Sequence, residues 1–168
     1  MHATRNSVAL KFNPACGRVM RGVRRQRRIS LADEINYETD LSSVDWERMK
    51  ATLAEDNFDN GRTPEQLRKS FENSYASILA YDGQNVIGTA RVLSDGVCNA
   101  YVVDVWTLSA YRKRGIARRM MEMLEARLEG QHVYLFTENA AGFYRKLGFD
   151  EQATGMSRVI GEWLRNDA

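Results

Sequence analysis

Arg112-Lys113-Arg114-Gly115-Ile116-Ala117 follows an apolar run from Tyr101 to Leu108 and opens an amphipathic segment from Ile116 to Leu128. A strand that turns through a basic, glycine-containing loop into a helix builds a site for a diphosphate. The first-turn N–H groups of a helix have no partners inside it, and the helix dipole leaves partial positive charge there. Small residues such as Gly115 and Ala117 let a phosphate come close to the backbone. An anionic nucleotide cofactor is the expected ligand.

Working back from this loop, Ala76 to Tyr81 and Val86 to Leu93 read as strands separated by Asp82-Gly83-Gln84-Asn85, a hairpin signal. Ser94-Asp95-Gly96 then turns the chain into Asn99 to Leu108, so three consecutive strands form an antiparallel meander. Working forward, Ile116, Met120, Met123, Leu124 and Leu128 recur at helical spacing, Gly130 ends the helix, and His132 to Thr137 reads as a strand. One helix joining the Tyr101 and His132 strands makes a right-handed βαβ unit, whose strands are parallel neighbours. Ala140 to Leu147 predicts a short helix closed by Gly148, and Phe149 to Ala153 with Ser157 to Ile160 predict a last strand pair. The expected fold class is α/β: a mixed, mostly antiparallel sheet with one parallel pair and flanking helices.

The segment before the meander is helical with one weak strand, Glu34 to Glu38. Ser42 or Ser43 is the expected cap of a helix carrying Trp46, Met49 and Leu53 on one face. Thr63-Pro64-Glu65-Gln66 is a capping box with proline at the first helical position, so a second helix runs to about Asn73 and buries Leu67 and Phe71.

With 168 residues the chain is expected to form one domain over residues 31–168, preceded by a basic extension over residues 1–30. Of 24 Lys and Arg, eight lie in residues 1–30, which hold no Asp or Glu; the remainder carries 16 basic and 22 acidic residues. Such a leader has the composition of an organelle transit peptide, of an electrostatic arm for nucleic acid or anionic lipid, or of a poorly ordered extension. Cys16 and Cys98 give no metal spacing and no disulfide framework, which points to a reducing, cytoplasmic compartment, or to an organelle if the leader is a transit peptide. The apolar runs fall short of the roughly 20 residues of a membrane-spanning helix.

Two further stretches accompany the basic loop: Asp104-Val105-Trp106-Thr107 just before it, and Phe143-Tyr144-Arg145-Lys146-Leu147-Gly148-Phe149 about thirty residues on. Together they resemble the GNAT superfamily of N-acetyltransferases, whose acetyl-coenzyme A loop reads Gln/Arg-x-x-Gly-x-Gly/Ala and whose later helix ends in Tyr-x-Lys-x-Gly-Phe. The resemblance covers Ile87 to Phe149. It implies a sheet whose two parallel strands splay apart to admit the pantetheine arm of acetyl-coenzyme A. It further implies that the peptide groups of Val105, Trp106 and Thr107 bond the acetyl carbonyl and pantetheine, and that those of Arg112, Lys113, Arg114, Gly115, Ile116 and Ala117 surround the pyrophosphate. The side chains of Arg112, Lys113, Arg114 and Arg118 add positive potential, unless they form only a solvated basic surface. Departures from the pattern are Thr137, where relatives carry a cofactor-contacting Asn, with Asn139 two residues later and more naturally a helix cap; Ser109 for a proline; and Ala117 for the third glycine.

By family position Tyr144 is the candidate acid that returns a proton to the coenzyme A thiolate, against the alternative of a core aromatic; Phe143 is expected in the core. Asp104, a carboxylate inside an apolar run, is the candidate base, since unpaired burial is costly and perturbs a carboxyl group. Its alternative is an ion pair with an arginine such as Arg91 on the adjacent strand. A similar Asp and a similar Arg-x-Leu-Ser-Asp-Gly turn occur in plant- and cyanobacterial-type arylalkylamine (serotonin) acetyltransferases, which the chain resembles here.

His132 and His2 suggest no metal, and Met120, Met121 and Met123 read as core packing. The expected activity is acetyl transfer from acetyl-CoA to a primary amine of a small molecule, by direct attack in a ternary complex and without a metal. The alternatives are an acetyl-CoA-binding sensor without turnover and a nucleic-acid-associated protein acting through the basic arm. Oligomeric state stays open, a homodimer included.

Overall fold

The computed structural model describes residues 35–152, 155–159 and 162–164. The expected extension over residues 1–30 and the start of the domain at residue 31 lie outside them.

Among the described residues five strands form one sheet in the order β1-β2-β3-β4-β5: β1 Asn36–Glu38, β2 Ala76–Asp82, β3 Asn85–Ser94, β4 Asn99–Thr107 and β5 His132–Tyr134. The first four pair antiparallel, and β4 pairs parallel with β5. The meander and the βαβ unit are as the sequence predicts. The turn into β4 is held by Asp95, whose carboxylate accepts from the N–H groups of Val97, Cys98 and Asn99.

Helices cover both faces. Helix α3, Ile116–Glu125, packs Ile116, Met120, Met121 and Leu124 on Ile78, Ala80, Ile87, Val92 and Val102. On the other face α1, Trp46–Glu55, and α2, Pro64–Glu72, bury Met49, Leu53, Leu67 and Phe71 against Leu79, Tyr81, Val86 and Trp106. Each fully buried Leu, Met or Phe contributes about 1.5–3 kcal/mol by leaving water. At Gly88 a Cβ would meet the Trp106 carbonyl at 3.2 Å and Met120 Cε at 3.1 Å, so only glycine lets β3 pack this closely. Helix α2 begins with the predicted capping box: Gln66 N donates to Thr63 Oγ1, and Thr63 N donates to Gln66 Oε1.

Four local expectations are corrected. Helix α1 is capped by Asp45, which accepts from Arg48 N at 3.0 Å, and not by Ser42 or Ser43; the Ser42 hydroxyl and N–H are both taken up by Asp40. Helix α3 stops at Glu125, because the bonds Arg127 N to Leu124 O and Leu128 N to Glu125 O tighten the chain into a three-residue repeat, with Leu128 still buried. Strand β5 ends at Tyr134, not Thr137. No strand forms over residues 149–152 or 155–159; at Gly155 the backbone passes so close to the Phe136 ring that a Cβ would come within 2.1 Å of it. Ala153 and Ile160, the ends of those expected strands, lie outside the described residues.

Candidate active site

Strand β4 carries an irregularity where it shapes the site. Thr89 faces Trp106 and Arg91 faces Val103, so β4 holds one residue more than β3 across this interval. That bulge contains Asp104 with φ +52°, a left-handed conformation that Asp tolerates better than β-branched or bulky residues. Its carbonyl accepts from the Thr89 hydroxyl at 2.8 Å. The extra residue also changes the phase of the strand. Ala100 and Val102 face α3, whereas Trp106 faces α1 and α2.

The parallel ladder between β4 and β5 runs only from Asn99 and His132 to Tyr101 and Tyr134. Beyond it no described strand pairs with β4 on that side, and Val105, Trp106 and Thr107 lie along the open edge. The Thr107 hydroxyl oxygen is buried without a hydrogen-bond partner among the described residues. A ligand carrying amide groups can bond such an edge as a strand would.

After β4 a single 3-10 turn over Ser109–Tyr111 leads into the basic loop. Lys113 has φ +64° and Gly115 φ +83°, and Gly115 precedes α3 with no side chain capping the helix. A Cβ placed on Gly115 would have no atom within 4 Å, so the space over the loop is open. Arg112, Lys113, Arg114 and Gly115 are exposed, Ile116 is buried and Ala117 half-buried. Backbone donors, a dipole and open space thus coincide as a diphosphate requires.

Three of the four basic side chains have local partners. Arg112 Nε donates to Thr107 O at 3.0 Å and its Nη2 to Asp56 at 3.1 Å. Arg114 lies over the Tyr111 ring at 4.9 Å. Arg118 Nη2 reaches Lys146 O at 3.4 Å, at the end of α4, Ala141–Arg145.

Asp56 is a site residue that the sequence does not announce. At the end of α1, with its side chain 8% exposed, it accepts from the Trp106 indole N–H at 2.8 Å, from Ser109 N at 3.1 Å and from Arg112. Burial alone would raise its pKa. Donation from Ser109 and Trp106 and the charge of Arg112 outweigh burial and hold the carboxyl below its ordinary value. Asp56 therefore fastens α1 to both the open edge of β4 and the basic loop.

Asp104 is an ion-pair partner. Arg91 Nε and Arg62 Nη2 both donate to its Oδ2 at 2.7 Å. The pairing with Arg91 is the alternative read from the sequence. Arg62 is a second partner, 42 residues away in sequence, which local patterning does not reveal.

Tyr144 is 9% exposed on α4, with Phe143 and Phe149 edge-on to its ring at 5.0 and 5.9 Å. Burial pushes its phenol pKa up, which keeps the proton on the oxygen at neutral pH. Asn139 is exposed and does not cap α4; Thr137 Oγ1 instead accepts from Ala140 N at 3.1 Å. Of the expected residues, Asp104 to Thr107 and Arg112 to Ala117 are thus consecutive parts of one edge and its loop. A cavity of about 360 Å³ lies elsewhere, between α1 and the β2–β3 hairpin, lined by Arg48, Thr52, Asn85 and Tyr111. Among the described residues no group of three His, Cys, Asp or Glu could hold a metal, and no helix is long and apolar enough to cross a membrane.

Residues 73–151 match the model of the family described as an acetyltransferase (GNAT) domain. A rice protein named serotonin N-acetyltransferase 2, chloroplastic, is 36% identical over 96 residues, an alignment covering 52% of this chain and 48% of that protein. The chain thus spans about half the length of this curated relative. A GNAT-family acetyltransferase of Streptococcus pneumoniae is 27% identical with a TM-score of 0.61, over 77% of this chain and 98% of that one. A GNAT-family structure from Xanthomonas campestris pv. campestris is 25% identical with a TM-score of 0.67, over 76% and 94%. Glucosamine-6-phosphate N-acetyltransferase of Arabidopsis thaliana, 16% identical with a TM-score of 0.63 over 77% and 100%, shares the fold. Residues 73–151 thus match an acetyltransferase (GNAT) domain, and solved GNAT-family acetyltransferases share the fold.

Proposed function

We propose that the protein transfers acetyl from acetyl-CoA to the primary amine of a small molecule, by direct attack in a ternary complex. The observation that carries this reading is the junction of an open β4 edge at Val105–Thr107 with the uncapped start of α3 behind Gly115. The first can bond the amides of a pantetheine arm, and the second a diphosphate. Backbone donors fixed along the edge also stabilise negative charge developing on an acetyl oxygen.

In this reading the amine nitrogen attacks the acetyl carbon, the C–S bond breaks, and the Tyr144 hydroxyl supplies the proton that the sulfur takes up. Tyr144 suits the part because burial keeps it protonated. The acceptor enters from the side of α1 and α2. There Phe58, 39% exposed, lies 6.4 Å from the Trp106 ring and offers an aromatic face. Together with the likeness to a rice protein named for serotonin, this favours an arylalkylamine acceptor.

A thiol-release assay with acetyl-CoA over arylalkylamines, polyamines, aminoglycosides and peptide N-termini tests the reading. The expected result is turnover with tryptamine-like amines. Binding of acetyl-CoA without thiol release from any amine would make the domain a sensor and contradict the proposal.

A further inference from the structure

An amine must lose its ammonium proton before it can attack a thioester, and an alkylammonium with a pKa of about 10 is almost wholly protonated at neutral pH. The described residues place an unbalanced charge beside the open β4 edge, where the proposed function puts the acetyl group. Arg62 and Arg91, 7% and 9% exposed, converge on the single Oδ2 atom of Asp104. One carboxylate cannot neutralise two guanidiniums. Arg62 Nε is otherwise bonded to Asn60 Oδ1, and Arg91 Nη1 to Ser74 Oγ and Ser70 O; all three are uncharged acceptors.

Among the described residues no acid other than Asp104 pairs with Arg62 or Arg91. In the loop between α1 and α2, Asp59 is paired with Lys50. At the end of α1, Asp56 is paired with Arg112. On α2, Glu72 is paired with Arg68, while Glu65 and Lys69 are exposed and of opposite charge. The cluster therefore carries a net charge of +1, one residue along β4 from Val105, the start of the open edge.

We infer that the Arg62–Asp104–Arg91 cluster lowers the proton affinity of the bound acceptor amine, so that the site takes its acceptor as the free base. The inference rests on the acetyl-transfer reading above. A positive charge in a poorly solvated site disfavours a second positive charge beside it. The ammonium proton passes to water before attack. As the N–C bond forms and the C–S bond breaks, the second amine proton is released and replaces the one Tyr144 gives to the sulfur. Arg62 and Arg91 act by charge as positioning residues, and Asp104 holds them together while moderating their field.

The test is kcat against pH for acetyl transfer to tryptamine by the whole chain, because kcat reports groups in the bound complex. Arg62→Gln brings the cluster to zero net charge and is expected to move the acid limb up by about one pH unit, with roughly tenfold loss at neutral pH recovered at high pH. Asp104→Asn raises the charge to +2 and is expected to move the limb down. A catalytic base at Asp104 would instead lose rate at every pH. Arg62→Lys keeps the charge and is expected to keep the limb in place even if the rate falls; should Asp104→Asn not fold, this pair of Arg62 variants decides. Equal loss at all pH values in Arg62→Gln and Arg62→Lys, or unshifted limbs, overturns the charge inference alone. Absence of transfer by the unaltered protein to any amine of the panel overturns the acetyl-transfer reading, and this inference with it.

Discussion

The Asp56 carboxylate and the Trp106 indole N–H, 50 residues apart, meet at 2.8 Å and join the end of α1 to the open edge of β4. Asp56→Ala leaves a buried indole N–H unpaired and is expected to cost about 1–3 kcal/mol in denaturant unfolding. Because Arg112 and Ser109 share the carboxylate, the same variant is expected to raise KM for acetyl-CoA. Stability within about 0.5 kcal/mol of the unaltered protein would show that the contact is dispensable.

The same carboxylate makes stability depend on pH. Its pKa is lowered in the folded state, as are those of Asp59, held chiefly by Lys50, and Asp95, held by the Cys98, Val97 and Asn99 N–H groups. A lowered carboxyl pKa stabilises the fold above the unfolded value of about 3.9, and that contribution disappears as pH falls through the folded value. Melting temperature is therefore expected to be flat near neutrality and to fall below about pH 4. Asp56→Asn should flatten part of that fall; an unchanged acid limb would remove Asp56 from the explanation.

Much of this architecture is legible from short-range patterns. Thr63 and Gln66 stand three residues apart, so their capping box forms within one helical turn whatever else the chain does. Arg91 and Asp104 sit on consecutive strands, and their pairing follows from the meander. The partners Asp56 with Trp106 and Arg62 with Asp104 depend on how the α1–α2 loop lies against β4, which no local periodicity encodes. Ser42 looks like a helix cap until Asp40 engages it. The expected strands Phe149 to Ala153 and Ser157 to Ile160 do not form over the described residues 149–152 and 155–159, because a strand also needs a partner in register, which a short local segment does not specify.

Tyr144→Phe keeps the ring contacts with Phe143 and Phe149 and removes only the hydroxyl. The role of proton donor proposed for Tyr144 predicts a kcat lower by about 100-fold or more while KM for acetyl-CoA stays within a few-fold. Steady-state kinetics at saturating amine checks this. A kcat within threefold of the unaltered protein would make Tyr144 a packing residue.

Gly115 carries φ +83° at the start of α3, so Gly115→Val is strained whatever the room available and is expected to lower stability by about 1–2 kcal/mol. Its side chain would also stand in the open space over the loop. Calorimetric titration with coenzyme A, run on the unaltered protein and on Gly115→Val under conditions where both are folded, probes that space directly. Diphosphate held on the backbone of residues 112–117 predicts clear heat of binding for the first and at least tenfold weaker affinity for the second. No heat with the unaltered protein, or equal affinity in both, would contradict the placement of the cofactor site at the start of α3.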